Sequence, residues 1–325
     1  MFDYKKIMKE GHLVEPIPSP YPKEFPSSQE LPEGCLVIDD LGNDWGYQMD
    51  FYTDIVYATK DEMDLHMILI VPRPHFGSTQ EEMKKEYKWP CIAYIQGSAF
   101  HKQNLYTCIS RHIRMVEKGY AVAIIEYRYS DIAPFPAQVE DAKTAIRYLR
   151  KNAELYHLDK EHFAVAGDSS GAYTALMVGF TQENQFKDEF YSEYSSQVNC
   201  IIDSYAPTAF MLMNYYPSSQ DHIQPDSPEG FELGGKNVLE HLDEAEKASP
   251  LYYLDKDTPT PPTLILHGSR DMLVPFNQSC VLYNYMKELG KEVTFYKLMN
   301  ANHGCHGFDS DKIVQIVLDF LEKNI

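Results

Sequence analysis

The sequence predicts an α/β fold with a mostly parallel central sheet carrying helices on both faces. Three observations predict it. Short, nearly all-apolar runs recur along the chain: CIAYIQ from Cys91, YAVAIIEY from Tyr120, HFAVAG from His162, CIIDSYAP from Cys200 and PTLILHG from Pro262. They lack the in-and-out alternation of a half-exposed sheet, so both of their faces must be buried. Longer segments of helical period separate them, which is the order of parallel crossover units. Finally, 325 residues with 44% hydrophobic content can fill the core of one large open sheet.

Taken in order, residues 1–48 read as an irregular N-terminal arm, because PIPSPYPKEFPSSQELPEG carries too much Pro and Gly for a helix or central strand. Residues 49–325 read as one domain. It begins with a hairpin, DFYTDIVY and LHMILIVP joined by the charged turn from Lys60 to Asp64. Helices are expected over residues 103–118 and over 137–153, where Val139, Ala142, Ile146 and Leu149 form one stripe. GAYTALMVGF, residues 277–289 and residues 311–323 are expected to be helical as well, and VTFYKLM is the last strand. One segment breaks this rhythm. Residues 207–258 are too long for an ordinary crossover and hold Asp/Ser/Pro turns, a helical stretch over 237–247 and an aromatic-Met patch. Above the carboxyl edge of a parallel sheet, such an insertion is placed to wall a pocket with Phe210, Met211, Met213, Tyr215 and Tyr216.

Composition narrows the partners. A formal charge of -19, from 48 acidic and 29 basic residues, disfavours nucleic acid and anionic membrane surfaces, which both need basic patches. No stretch reaches the ~18 apolar residues of a membrane span, and the first residues lack the apolar core of a secretory signal. Six scattered cysteines without a C-x-x-C pair suit reduced thiols, hence a cytoplasmic protein. No phosphate-binding glycine motif is present, and no third ligand is spaced to join His303 and His306 on a metal ion. No cofactor or metal is therefore expected.

The sharpest local signal is Gly167-Asp168-Ser169-Ser170-Gly171, a G-x-S-x-G pattern between a predicted strand and a predicted helix. That context makes Ser169 the candidate nucleophile, raised above the sheet edge on a tight turn, with the backbone N–H of Ser170 facing a developing oxyanion. A bare N-cap serine is the bland reading, and Ser170 is the competing hydroxyl. A serine needs a base and an orienting acid. Asp271 follows the strand TLILHG, and His303 follows VTFYKLM in the loop NANHG. Asp243 and Asp255 are alternative acids, but both sit in the insertion. His267 lies within a strand and reads as a core histidine, whereas His306 is a close rival to His303. After CIAYI, the small residues of Gln96-Gly97-Ser98-Ala99 allow the amides of Ser98 and Ala99 to turn inward, and Phe100 follows them toward the same pocket.

Together these segments resemble the α/β-hydrolase esterase/lipase family, in particular BD-FAE-type (feruloyl/acetyl esterase-like) and hormone-sensitive-lipase-like carboxylesterases. The resemblance runs from about residue 50 to the C-terminus. It is carried by EYRYSDIAPFPAQVEDAKTAIRYLRKNAELYHLDKEHFAVAGDSSGAYTALM, by SPEGFELGG with ASPLYYL, and by HGSRDMLVPFNQS and NANHG. It implies the α/β-hydrolase fold with an insertion before the strand of the catalytic acid, and places the family's nucleophile, acid and base on Ser169, Asp271 and His303. The family's His-Gly-Gly-Gly loop falls on Gln96, Gly97, Ser98 and Ala99, and its Gly-Pro-Thr-Asp on Ala206 to Ala209, so both motifs depart from the pattern. The implied activity is hydrolysis of small or short-acyl esters through an acyl-enzyme. An amidase or peptidase of the same fold, and a non-catalytic binding protein, remain as alternatives. Fold analogy and the aromatic-rich arm add an expectation of homodimerisation.

Overall fold

The computed structural model describes residues 5, 8, 15–16, 25–38, 46–74, 86–304 and 307–325. The chain divides into two units, one comprising residues 1–45 with 74–87 and the other residues 46–73 with 88–325. In the first, residues 25–38 contain no helix or strand, and the Cys35 N–H closes a turn on the Pro32 carbonyl at 2.9 Å.

The second unit is built on an eight-stranded sheet. Its strands are β1 (Gln48–Lys60), β2 (Met63–Arg73), β3 (Trp89–Ile95), β4 (Ala121–Ile125), β5 (Leu158–Asp168), β6 (Cys200–Ser204), β7 (Thr263–Gly268) and β8 (Val293–Leu298). Their spatial order is β1-β2-β4-β3-β5-β6-β7-β8. The β1/β2 hairpin and the β2/β4 pair are antiparallel, and every pair from β4 to β8 is parallel. The hairpin turns on Asp61 and Glu62, both at positive φ, as the two-residue turn that matches strand twist requires.

Helices α1 (Ile109–Val116), α2 (Ala137–Lys151), α3 (Ser170–Phe180), α4 (Pro228–Glu232), α5 (Leu242–Lys247), α6 (Asn277–Glu288) and α7 (Asp311–Asn324) follow in chain order. Met115 and Val116 of α1, with Ile313, Val314 and Leu321 of α7, join one core with Ile92, Val122, Ile124, Ile202 and Leu264 from the sheet. Helix α3 is buried on nearly every side, as its uniformly apolar sequence demands. The first helix is shorter than its periodicity suggests. The Asn104 side chain accepts the Tyr106 N–H, and Cys108 adopts a left-handed conformation, so local turns displace the expected first helical turn. The helix expected over 237–247 likewise starts only at Leu242, because Asn237 Oδ1 captures the amides of Leu239 and Glu240.

Between β6 and β7 the insertion contains a 3-10 helix over Phe210–Tyr215, then α4 and α5, and a second 3-10 turn over Pro250–Tyr253. The hairpin and α2 are joined by a buried ionic cluster. Asp141, 0% exposed, accepts from Lys60 Nζ at 2.8 Å and from Arg128 Nε and Nη2 at 2.9 and 2.8 Å. Removing one member of such a cluster leaves the others buried and uncompensated, at a cost of about 3–5 kcal/mol.

Candidate active site

The site gathers at the carboxyl ends of β3, β5, β7 and β8. Ser169 sits between β5 and α3 with φ 52° and ψ −125°, a conformation a serine holds only when its surroundings impose it. Its N–H donates to the Ser204 carbonyl at 2.9 Å. Two glycines make the turn sterically possible. A Cβ on Gly171 would stand 2.0 Å from the Ile95 carbonyl oxygen, and one on Gly97 would stand 2.4 Å from that of Asp168. The loop after β3 therefore lies directly against the serine turn.

His303 Nε2 is 2.9 Å from Ser169 Oγ, and His303 Nδ1 is 2.8 Å from Asp271 Oδ2. The three side chains form one hydrogen-bonded line. Asp271 Oδ1 accepts the N–H groups of Leu273 and Val274, both at 2.9 Å. Burial works to raise the Asp271 pKa, but hydrogen bonds from His267 and His303, with the attraction of both rings, outweigh it and hold the carboxyl at about 2. Asn302 Oδ1 accepts the amides of both Met272 and His303, fastening the loops of acid and imidazole together.

His267 is buried in β7, as expected of a core histidine, yet it also reaches this line. Its Nε2 lies 3.2 Å from Asp271 Oδ2 and 3.0 Å from the Val274 carbonyl, and its Nδ1 lies 2.7 Å from Ser279 Oγ. Tyr205, at positive φ, packs its ring 4.6 Å from that of His303. Neither role has a local sequence signal. His306 lies outside the described residues. Asp243 and Asp255 stay in the insertion, and Asp255 accepts hydrogen bonds from Asp257 and Thr258 of its own turn.

The expected set of three amides near Ser169 needs a correction. The Ser98 N–H donates to Ser170 Oγ at 2.9 Å, and the Phe100 N–H approaches the same oxygen at 3.4 Å. Ser170 Oγ also lies 3.4 Å from Tyr127 Oη, which is 3.1 Å from Ser98 Oγ. The Ser98 amide is therefore engaged by a hydroxyl that a glycine-based reading of the loop does not anticipate. Among the described residues, no hydrogen bond takes up the amides of Ala99 and Ser170. Those two N–H groups are the ones available to an anionic oxygen beside Ser169. Asp168 Oδ1 accepts from Tyr94 Oη at 2.7 Å and from the Gly97 N–H at 2.9 Å, which ties the same loop to the serine turn.

The expected pocket residues divide. Phe100 and Phe210 are fully buried and pack with Tyr173 at ring separations of 5.2, 5.3 and 6.3 Å. Met213 is buried too, while Met211 and Tyr216 are half-buried. Tyr215 does not belong to this set, since it is 73% exposed. In a 3-10 helix residues three apart share a face, so Phe210 and Met213 point inward and Tyr215 is carried outward.

The family model BD-FAE matches residues 80–286. The chain belongs to the BD-FAE family. Among relatives of known sequence, the esterase LipC of Mycobacterium tuberculosis is 23% identical over 223 residues, 66% of this chain and 53% of LipC. Esterase LipQ of the same organism is 26% identical over 243 residues, 71% of this chain and 55% of LipQ. The chain thus spans about half the length of these relatives. Among solved structures, a truncated carbohydrate esterase from gut microbiota is 26% identical with a TM-score of 0.73, over 86% of this chain and 96% of that one. Esterase Est2 of Thermogutta terrifontis shares the fold at 20% identity and a TM-score of 0.64, over 87% and 96% of the two chains.

Proposed function

We propose that this BD-FAE family member is a serine carboxylesterase that hydrolyses small or short-acyl esters. The hydrogen-bonded line from Ser169 through His303 to Asp271, at 2.9 and 2.8 Å, carries the reading. In the proposed reaction Ser169 Oγ attacks the ester carbonyl carbon while His303 Nε2 accepts its proton. The amides of Ala99 and Ser170 hold the oxyanion, and Asp271 keeps the proton on His303 Nδ1. His303 then protonates the leaving alcohol, giving an acyl-serine, and activates water to release the acid. The esterase relatives support this chemistry.

Acyl size follows from the aromatic cluster. Phe100 continues the loop that holds Ala99, and its ring packs with those of Tyr173 and Phe210. A methylene that finds a complementary pocket is worth about 1–3 kcal/mol, whereas one without room clashes. Across p-nitrophenyl esters from acetate to decanoate, kcat/KM is expected to peak between acetate and butyrate. A steady climb through octanoate would overturn the small-pocket reading.

Two finer expectations belong to the same proposal. Cys35, Cys91, Cys108, Cys200 and Cys280 are free thiols, which suits a reducing, cytoplasmic compartment. Homodimerisation is expected from fold analogy, and a monomer mass that stays constant in light scattering across a concentration series would remove it.

A further inference from the structure

A second buried polar cluster lies on the insertion, against the loop that follows β7. His222 is 1% exposed and Glu229 2%. His222 Nδ1 lies 2.8 Å from Glu229 Oε2, and its Nε2 lies 2.9 Å from the Leu273 carbonyl and 3.0 Å from Ser218 Oγ. The Ser218 hydroxyl is 2.8 Å from the Leu273 carbonyl and 3.2 Å from that of Met272. Ser219 donates to the Met272 carbonyl twice, from its N–H at 2.8 Å and from its hydroxyl at 2.7 Å.

Those two carbonyls belong to the peptide units whose N–H groups are Leu273 and Val274. Both of these N–H groups donate to Asp271 Oδ1 at 2.9 Å. Each peptide unit is therefore held at its oxygen by the insertion and at its nitrogen by the carboxylate. An amide whose oxygen accepts a hydrogen bond is polarised, and its N–H becomes the stronger donor. Burial works to lower the His222 pKa, but the bond and charge of Glu229, the Leu273 carbonyl and Asp221 outweigh it and raise it. Glu229 from α4 and Asp221 from its own loop are the charged groups acting on it, and Asp271 stands beyond the two peptide units.

We propose that His222 is a positioning residue for Asp271. Anchored by Glu229, it holds the Leu273–Val274 peptide while Ser218 and Ser219 hold the Met272–Leu273 peptide, so that the N–H groups of both keep the carboxylate turned toward His303. This rests on the function proposed above, and it gives the insertion a task beyond walling a pocket.

The test uses the full chain and the double variant H222F/E229Q, which removes both members of the buried pair together. Two quantities are read: kcat and KM for p-nitrophenyl acetate, and the low-field proton resonance of the His303–Asp271 hydrogen bond, measured without substrate. The expected result is a kcat lower by about 10- to 100-fold, the range found when a partner that orients a metal-bound ligand is removed. KM should be little changed, and the resonance should broaden or move upfield. A folded double variant with wild-type kcat and resonance overturns the proposal. If the double variant does not fold, exposed Ser219→Ala substitutes for it. That variant should move the resonance the same way by less, and no movement overturns the proposal. Wild-type protein that hydrolyses no ester, but whose resonance still responds to these substitutions, refutes the function and leaves the clamp standing. Absence of the resonance in the wild type refutes the clamp.

Discussion

Replacing Ser169 with alanine is expected to lower kcat for p-nitrophenyl acetate by about 10^4- to 10^6-fold, the range seen when the nucleophile of a serine–histidine–acid relay is removed. The residue tolerates the change structurally. Its backbone N–H still reaches the Ser204 carbonyl, and only the hydroxyl beside His303 Nε2 is lost. The melting temperature should therefore stay within a few degrees, and far-UV circular dichroism should not change. Labelling by a fluorophosphonate probe, which needs an activated hydroxyl, should disappear in parallel. Ser170→Ala is the control. Its hydroxyl holds the amide of Ser98 rather than facing His303, and its own amide survives the substitution, so probe labelling should persist. Full hydrolysis by the Ser169 variant, with an inactive Ser170 variant, would transfer the role to the neighbour.

The second large effect is expected from Asp271→Asn. Two backbone amides donate to Oδ1, so the asparagine oxygen must stay there and its NH2 must face His303 and His267. His303 Nδ1 then has a donor in front of it and must accept, which moves the imidazole proton to Nε2, the atom that should receive the proton of Ser169. The wrong tautomer costs about 10^4-fold in kcat with the geometry otherwise intact. Activity within tenfold of wild type would show that another group orients His303.

The same residue sets an acid limit on stability. Its folded pKa of about 2 lies below the 3.8 of a free aspartate side chain, so the carboxylate stabilises the fold at pH values above the unfolded pKa. That contribution is lost as pH falls through the folded value. A shift of this size corresponds to about 2 kcal/mol, and Asp271 is only 8% exposed. Urea unfolding should show wild type more stable than the asparagine variant at pH 5, with the gap closing toward pH 2. A gap independent of pH would contradict this account.

Much of the fold was legible because the signals are local. All-apolar runs mark strands buried on two faces, and β4, β6 and β7 are buried throughout. The glycines of Gly167-Asp168-Ser169-Ser170-Gly171 announce a backbone too crowded for any Cβ, and that crowding is what the turn contains. The chain order of Ser169, Asp271 and His303, each just past a strand, could be read without knowing how the strands pair.

The sequence by itself determined the mostly parallel sheet and offered three residues as a relay, since periodicity and turn chemistry act over a few residues. Tertiary structure alone decided which polar groups are already spoken for. Ser98 and Ser170 are 72 positions apart, and His222 and Leu273 are 51 apart. Such hydrogen bonds depend on where the crossovers set their loops, and no local pattern encodes a partner. For that reason the Ser98 amide is engaged, Tyr215 faces solvent, and the histidine that braces Asp271 from the insertion gave no signal along the chain.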